Sequence, residues 1–324
     1  MRGRVRVLDL FCGIGGLAAA LEGFADAAVV GAIDVNRQAL AVYGANFPHP
    51  IQPRTIESLP LEAFAAADAD LWWLSPPCQP HTQKGARRDV DDARSAALHN
   101  VVQAIGALKP RYLALENVFG FVGSRAHREL RQTLDRHGYL VHERQLCPSA
   151  LGVPNRRPRF YLTASRDGLV ATLGRSSCET LGDGAPAFEG RSGSPLVARP
   201  CSAHASLAAR LEREPDEALI VDPALVARYR GALDLVDPHR ADAIAACFTS
   251  GYGRAVVRCG SYLTDGAQVR RFSPREIASL LGFAPSYRFP PTIERRTAWR
   301  LLGDSLSVPA VREALRAFPP FASL

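Results

Sequence analysis

The feature that most constrains the fold is a buried strand that ends in a stiff, proline-bound loop. The apolar run Leu71–Leu74 predicts a strand, and Pro76 and Pro77 follow it. Neither proline extends a sheet ladder, because proline has no backbone N–H. Cys78 comes next and is the only cysteine with a proline on both sides, the second being Pro80. Open α/β sheets bind ligands just past the carboxyl ends of their strands, so this position predicts a nucleophilic thiol.

Length and cysteine usage narrow the class of protein. With 324 residues, the chain is long enough for one large domain and a smaller one. The absence of any apolar run of about 18 residues predicts that no segment spans a membrane. The seven cysteines are odd in number and none forms a Cys-x-x-Cys pair. This usage argues against a disulfide framework and a zinc site, and predicts a reducing, cytoplasmic location.

The net charge of +7 and a pI of about 9.2 favour a polyanionic partner such as a nucleic acid. A second interpretation stays open. Lys84 and Lys109 are the only lysines among 39 basic residues. The excess of arginine is therefore also consistent with a compositional bias of the source.

A glycine-rich turn follows the first predicted strand, Arg4 to Leu10. The segment Phe11–Gly16 reads Phe-Cys-Gly-Ile-Gly-Gly and precedes a short helix. Glycines at such a turn let the backbone approach a ligand and present N–H groups at a helix N-terminus. Asp34 follows the next apolar run, 28–33, where a carboxylate suits a ribose diol. Gly-x-Gly-Gly differs from the Gly-x-Gly-x-x-Gly fingerprint, which disfavours NAD. Cys12, inside the turn, is predicted to be a packing residue.

Two further features place charged side chains at strand ends. Glu116 closes the apolar run 112–115, where a carboxylate is costly unless it has a partner or a function. Arg157 and Arg159 alternate as the chain enters another strand, which places both on one face. Two guanidinium groups on one face suit a pyrimidine carbonyl, a phosphate or a structural carboxylate. An ordinary salt-bridged strand edge is the alternative.

The remaining segments predict loops and caps. The charged stretch 85–94 suggests a loop over the site, with Arg87 and Arg88 near phosphates or simply solvated. The pattern weakens after Ser165, and Gly, Ser, Pro and Arg dominate 182–202. Farther on, Ser273, Pro274 and Glu276 predict a capping box at a helix start. The last predicted helix covers 308–318.

These blocks resemble, in order and over nearly the whole chain, those of the cytosine-5 methyltransferases. The narrower resemblance is to the branch that methylates cytosine 38 in the anticodon loop of tRNA-aspartate. The segments that carry the narrower resemblance are 32–36, 46–49, 75–80, 151–155 and, above all, Cys247-Phe248-Thr249 followed by Gly251-Tyr252-Gly253, whereas 9–16 and 116–118 carry the resemblance to the wider family.

The resemblance implies a Rossmann-like, S-adenosylmethionine-dependent methyltransferase fold of the α/β class. Its sheet would be mostly parallel with helices on both faces, accompanied by a second, smaller target-recognition domain. Residues 1–164 plus 295–324 would form the catalytic domain and 165–294 the small one. The implied partner is tRNA, bound by a monomer that needs no metal.

The resemblance also implies roles for individual residues. The catalytic residues would be Cys78, Glu116, Arg157 and Arg159. The cofactor contacts would be Phe11, Gly13, Ile14, Gly15, Gly16, Asp34, Val35, Ile56, Ser75, Pro76, Ser305 and Val308. The substrate contacts would be Asn117, Cys247, Phe248, Thr249, Arg87 and Arg88. Without the resemblance, Ile56 is equally consistent with a core residue beside a helix cap, and Cys247 with a buried core thiol.

Several positions depart from the family pattern. Where the family usually has a tyrosine and then Glu-Gly-Thr-Gly after the Cys-Phe-Thr block, this chain has Ala255, Val257, Arg258, Cys259 and Gly260. His81 replaces a usual aromatic, and Asp304 replaces the asparagine of Gly-Asn-Ser-Leu. Two other functions therefore stay open: a DNA cytosine-5 methyltransferase of a modification system, and a non-catalytic nucleic-acid-binding relative.

Overall fold

The computed structural model describes residues 3–77, 93–170 and 205–324. Cys78, His81, Arg87 and Arg88 lie outside the described residues, as does the segment 182–202. The structure therefore leaves the predictions made for those positions untested.

A seven-stranded sheet forms the centre of the molecule. Its strands are β1 Val5–Leu10, β2 Ala27–Asp34, β3 Ile51–Pro53, β4 Leu71–Leu74, β5 Tyr112–Asn117, β6 Leu140–Leu146 and β7 Arg159–Ser165. They lie in the order β3-β2-β1-β4-β5-β7-β6, and β7 alone points in the direction opposite to the other six strands. This mostly parallel arrangement confirms the predicted fold class.

Alternating side chains bury both faces of the sheet. In β4, Leu71 and Trp73 join one apolar cluster, whereas Trp72 and Leu74 join the cluster on the opposite face. The period of two residues along a strand produces this division. Burial of a large apolar side chain contributes about 1.5–3 kcal/mol, so a four-residue run is enough to fix a central strand. The run Leu71–Leu74 is apolar throughout because both faces of this strand are covered.

Helices cover both faces, as expected. Their bounds are α1 Gly16–Leu21, α2 Arg37–Asn46, α3 Leu61–Ala66, α4 Ala93–Leu108, α5 Arg125–Arg136, α6 Pro223–Tyr229, α7 Pro274–Leu281, α8 Arg295–Gly303 and α9 Val308–Leu315. Helices α1, α2 and α9 pack on one face, and α3, α4 and α5 pack on the other. None of the helices in the described ranges combines the length and hydropathy that a membrane crossing requires.

Local capping matches the sequence in most places. Ser273 accepts a hydrogen bond from the backbone N–H of Glu276, and the Glu276 carboxylate accepts one from the N–H of Ser273, which completes the predicted capping box. The last helix ends at Leu315, three residues earlier than predicted. Helix α3 begins after Pro60, so the alternative that placed a helix cap at 55–57 is wrong. Ile56 is nevertheless buried in the core, as that alternative required.

A second, three-stranded sheet lies in the C-terminal half. It consists of β8 Asp234–Val236, β9 Ser261–Thr264 and β10 Val269–Arg271, with β9 in the centre. Tyr262 and Leu263 of β9 belong to the same apolar cluster as Leu71 and Trp73 of β4. One face of the large sheet therefore packs continuously into the C-terminal half, and this contact brings the segment around Cys247 to the sheet.

Candidate active site

The candidate site lies at the carboxyl edge of the large sheet. The strand order changes direction between β1 and β4, and such a switch point opens a crevice outside the carboxyl ends of the strands. The glycine turn follows β1, Asp34 ends β2, the proline loop follows β4, and Glu116 lies at the end of β5. Because β7 is antiparallel, its first residue, Arg159, lies at this same edge.

The glycine turn is shaped by close backbone approach. Gly15 has φ +89°, and a Cβ there would lie 2.5 Å from the Phe47 ring. A Cβ on Gly16 would lie 2.7 Å from Cβ of Leu306. The turn also holds Phe11 at φ +60°, a conformation that non-glycine residues rarely adopt. Ile14 is buried, and its carbonyl oxygen accepts a hydrogen bond of 2.7 Å from the Tyr287 hydroxyl.

Asp34 links the turn to the end of β2. Its carboxylate accepts hydrogen bonds from the backbone N–H of Gly13 at 2.9 Å and of Asn36 at 2.8 Å. Burial raises the pKa of Asp34, although backbone hydrogen bonds from Asn36, Gly13 and Val35 act to lower it. The neighbouring Val35 side chain is 70% exposed, which is unusual for an apolar residue beside a buried turn. An acceptor for hydroxyl groups and an uncovered apolar surface thus lie side by side, and this arrangement fits a nucleoside.

The remaining predicted cofactor residues are more enclosed. Ile56, Ser305 and Val308 are buried at 4%, 6% and 3% exposure. Ser75 donates its backbone N–H to the Leu10 carbonyl at 3.2 Å, which places it directly beside the start of the glycine turn. Ser75 and Asp34 therefore flank the crevice, whereas the other three side chains are buried.

The loop after β4 is attached to the end of β5. The Asn117 side chain donates a hydrogen bond of 3.3 Å from Nδ2 to the carbonyl of Pro76, and both residues are buried. Asn117 also accepts from the N–H of Val118 at 2.8 Å. This contact fixes the chain two residues before Cys78 against the residue that follows Glu116. Cys78 itself lies outside the described residues.

Glu116 is a buried acid paired with a buried base. Its carboxylate Oε1 lies 3.4 Å from Nε of Arg159, and the two side chains are 11% and 17% exposed. Burial raises the pKa of Glu116 and outweighs the opposing effect of Arg159 and Arg157. The carboxyl group therefore holds its proton to higher pH than an ordinary glutamate. A group of this kind donates a hydrogen bond or a proton to a ligand in the crevice.

A thiol lies beside this pair. Arg157 Nη1 and Arg159 Nη2 lie 3.4 and 3.6 Å from Sγ of Cys247. Burial acts to raise the pKa of the Cys247 thiol, but the two guanidinium groups outweigh it and hold that pKa below its usual value. The prediction that both arginines share one face is confirmed, although Arg157 precedes β7 instead of lying within it.

Arg157 also joins three segments that are distant in sequence. It donates to the carbonyl of Phe248 at 2.9 Å, to that of Gly303 at 3.0 Å, and to that of Ser305. This buried guanidinium therefore holds the Cys247 segment against the end of α8. It positions other groups and has little freedom to bind a ligand itself.

The other predicted substrate contacts differ in accessibility. The ring of Phe248 is 2% exposed and packs against Tyr252 and Phe272. Thr249 is half-buried, and its N–H donates to the Cys259 carbonyl at 2.9 Å. Within the Cys-Phe-Thr block, Cys247 and Thr249 therefore retain accessible surface, whereas Phe248 anchors the block in the core.

Two supporting residues, Asn155 and Asp9, lie in segments that the sequence singled out but received no individual role. Asn155 donates hydrogen bonds from Nδ2 to the carbonyls of Ala245 and Ala246, at 3.2 and 3.1 Å. These bonds hold the segment that leads to Cys247 in position. Asp9 lies in β1 with 1% exposure, and burial raises its pKa well above the usual value. The argument that singled out Glu116, a carboxylate within an apolar strand, applies equally to Asp9.

One substitution tests the contact between α8 and the Cys-Phe-Thr block. A Cβ at Gly303 would lie 2.2 Å from both the carbonyl carbon of Thr249 and the backbone nitrogen of Ser250. We expect Gly303→Ala to lower the free energy of unfolding by at least about 2 kcal/mol, since backbone atoms have to move. Gly231→Ala, where no atom lies within 4 Å, is the control and should stay within about 0.5 kcal/mol of the parent. Denaturant unfolding measures both, and equal midpoints would contradict the close packing.

A glycine turn after β1, an acid at the end of β2 and a reversed β7 between β5 and β6 together define a Rossmann-like methyltransferase. Residues 5–185 match the family described as C-5 cytosine-specific DNA methylase. The chain is also 31% identical to the tRNA (cytosine(38)-C(5))-methyltransferase of Mus musculus, over 96% of this chain and 92% of that protein. This protein belongs to the C-5 cytosine methyltransferase family.

Two further comparisons agree. The crystal structure of the Schizosaccharomyces pombe Dnmt2 methyltransferase superimposes with a TM-score of 0.79 at 31% identity, covering 97% of this chain and 98% of that one. A relative from Dictyostelium discoideum named DNA (cytosine-5)-methyltransferase is 27% identical over 97% of this chain and 94% of that protein. The family's motifs therefore occur in relatives whose names specify either nucleic acid.

Proposed function

We propose that this protein transfers a methyl group from S-adenosylmethionine to carbon 5 of a cytosine in tRNA, at nucleotide 38 of the anticodon loop of tRNA-aspartate. The observation that carries the proposal is the buried Glu116–Arg159 pair, with Asn117 holding the chain that leads to Cys78. The mouse relative, named as a tRNA cytosine-38 enzyme, supports the choice of tRNA over DNA. An anticodon loop also exposes its bases at a lower unstacking cost than a duplex does.

The chemistry assigned to Cys78 begins with activation of the ring. Carbon 5 of cytosine is a weak nucleophile. When the Cys78 thiolate forms a bond to carbon 6, the carbon 5–carbon 6 π electrons become available at carbon 5 as in an enamine. Negative charge that develops on nitrogen 3 is neutralised by the proton of Glu116, whose raised pKa keeps it available.

The second half of the reaction restores the ring. S-adenosylmethionine, which the glycine turn and Asp34 would hold, would supply an electrophilic methyl group to carbon 5; the methyl–sulfur bond would break and S-adenosylhomocysteine would leave with its electron pair. A base then removes the carbon 5 proton, the electrons reform the ring double bond, and the Cys78–carbon 6 bond breaks to release the thiolate. Glu116 takes back its proton from nitrogen 3. Arg159 is assigned to the cytosine carbonyl oxygen, because its guanidinium lies beside Glu116 and retains unused donors.

Asp34 and Val35 are assigned to the nucleoside part of the cofactor. Asp34→Asn keeps the side-chain shape and removes the charge that would strengthen hydrogen bonds to ribose hydroxyls. We expect S-adenosylmethionine to bind about 10- to 100-fold more weakly, as for the loss of hydrogen bonds to a charged group. Calorimetric titration measures this affinity. Asp135→Asn on α5 removes the same charge on the opposite face of the sheet and should leave the affinity unchanged; equal effects would argue against the assignment.

The decisive experiment offers labelled S-adenosylmethionine with total tRNA and, separately, with duplex DNA, and then maps the modified nucleotide. Label at cytosine 38 of tRNA-aspartate is the expected result. Label in DNA alone would support the function that the Dictyostelium relative's name indicates. No transfer to either would favour a non-catalytic relative.

The predicted division of the chain is retained as part of the proposal. The three-stranded sheet β8–β10 and the Cys247 segment both lie within 165–294, the segment assigned to target recognition. We also retain the prediction of a monomer in the cytoplasm. Sedimentation and imaging of the tagged protein test these two points.

A further inference from the structure

The segment 249–260, here called the arginine loop, begins at the last residue of the Cys-Phe-Thr block. Its ends are joined by a hydrogen bond of 2.9 Å from the N–H of Thr249 to the Cys259 carbonyl. In its middle, Gly253 packs so closely on Trp299 that a Cβ would lie 2.1 Å from the indole ring. The Tyr252 hydroxyl donates to the carbonyl of Ser261 at 2.9 Å. The loop is therefore a well-anchored platform.

Two arginines extend from this platform to the surface. Arg254 and Arg258 are both exposed, and the arginine loop contains no acidic residue. Among the described residues, neither guanidinium forms an ion pair or a hydrogen bond. Both are therefore available to an anionic ligand, in contrast to Arg157, whose guanidinium is occupied within the protein.

Arg258 occupies a backbone conformation that favours glycine. Its φ is +54°, in the left-handed region where a Cβ approaches the following carbonyl oxygen. An arginine here carries a backbone cost that glycine avoids, and such strained residues cluster where the side chain binds a ligand.

The loop also lies next to the reacting centre. Thr249 is two residues from Cys247, whose sulfur lies 3.6 Å from Arg159, and Arg159 pairs with Glu116. The loop therefore begins two residues from the group of side chains to which the target base is assigned. In a nucleic acid, the groups on either side of a bound base are phosphates.

We propose that Arg254 and Arg258 bind phosphates of the RNA backbone next to the target cytosine. This inference rests on the proposed function and adds to it two phosphate contacts on the arginine loop. Guanidinium groups suit phosphate oxygens because they offer several N–H donors in one plane.

The test measures binding of a tRNA-aspartate transcript to the full chain at several salt concentrations. The variants are Arg254→Ala, Arg258→Gly and the double variant. We expect each single variant to bind about tenfold more weakly and to reduce the slope of log affinity against log salt by about 0.7 to 0.9. Arg258→Lys keeps the charge and should keep the slope. Arg136→Ala removes an exposed charge from α5, on the opposite face of the sheet, and is the matched control.

Thermal unfolding separates a binding role from a structural one. Because glycine adopts φ +54° without strain, Arg258→Gly should raise the unfolding midpoint while it weakens binding. A lower midpoint together with weaker binding would assign Arg258 to the fold and overturn the inference. Unchanged affinity and slope in the double variant would overturn it as well.

Failure of this inference is distinguishable from failure of the proposed function. If the wild-type protein methylates tRNA while the double variant binds like the wild type, only the phosphate contacts are wrong. If the wild-type protein methylates duplex DNA and no RNA, the proposed function fails. If, in addition, the wild-type protein binds RNA weakly and substitution of both arginines does not change that binding, the phosphate contacts are wrong as well.

Discussion

Cys78→Ala should abolish methyl transfer while S-adenosylmethionine still binds. The thiolate is the group that makes carbon 5 reactive, so its removal should lower turnover by about 10⁴-fold or more. The cofactor contacts are assigned to the glycine turn and Asp34, which the substitution leaves in place. Turnover with labelled cofactor and calorimetric titration of the same preparation measure the two effects. Persistent methyl transfer in this variant would refute the assignment of Cys78 as nucleophile.

Two other cysteines provide matched controls. Cys12 is 4% exposed and burial raises its pKa far above the usual range, so Cys12→Ala should leave turnover largely intact. Cys247 is the rival thiol, because Arg157 and Arg159 lower its pKa. If Cys247 were the nucleophile, Cys247→Ala would abolish turnover and Cys78→Ala would retain it. RNA with 5-fluorocytosine at the target blocks proton loss and should trap a covalent complex only in proteins that keep Cys78.

Glu116→Gln should lower kcat by about 10² to 10⁴-fold, the range that general acid catalysis contributes. Glutamine has nearly the same shape and still donates a hydrogen bond, but it gives up no proton to nitrogen 3. Turnover under saturating cofactor and tRNA measures the effect. A variant with near-normal turnover would show that hydrogen bonding alone accounts for the role of Glu116.

The pH dependence follows from the raised pKa of Glu116. The protonated carboxyl is the active form, so turnover of the wild-type protein should fall as the pH rises through that pKa. The Gln variant has no group to titrate there and should lose this alkaline decline. For stability, the folded state holds a proton that an unfolded glutamate, with a pKa of about 4.3, has already released. The stability contribution of Glu116 is therefore present at low pH and lost as the pH rises through its folded pKa.

At a pH above its folded pKa, Glu116 thus carries a buried negative charge. The free-energy cost of burying that charge exceeds the favourable electrostatic interaction with Arg159 and Arg157. Glu116→Gln should then leave the unfolding midpoint unchanged or raise it. Glu143 is the matched control: burial acts to raise its pKa, but His127 and Arg131 hold that pKa below its usual value. Glu143→Gln should lower stability at neutral pH and affect turnover far less. Equal losses of stability in both variants would contradict this account.

Much of the catalytic half could be predicted from local patterns. Apolar runs predicted β1, β2, β4 and β5 to within one or two residues, because central strands of a parallel sheet are covered on both faces. Glycine and proline marked the turns after β1 and β4, since both residues act on the backbone they occupy. The capping box at Ser273 was predictable for the same reason: its three residues lie within one helical turn.

Those local patterns could not predict which side chains meet at the candidate site. That Arg159 lies beside Glu116 depends on β7 running antiparallel between β5 and β6. That Arg157 holds Cys247 depends on contacts with Gly303 and Ser305, nearly 150 positions farther along the chain. The exposed, left-handed Arg258 looked only like a departure from the family until its backbone angle was known.

By itself, the sequence determined the order of the strands along the chain, the glycine and proline turns at their ends, and the types of side chain available for chemistry. These properties depend on the residue itself and its immediate neighbours. Only the tertiary structure decided which of those side chains meet and what burial does to their charges. A pKa depends on the distance to other charges and on the exclusion of water, and both are set by segments far apart in the chain.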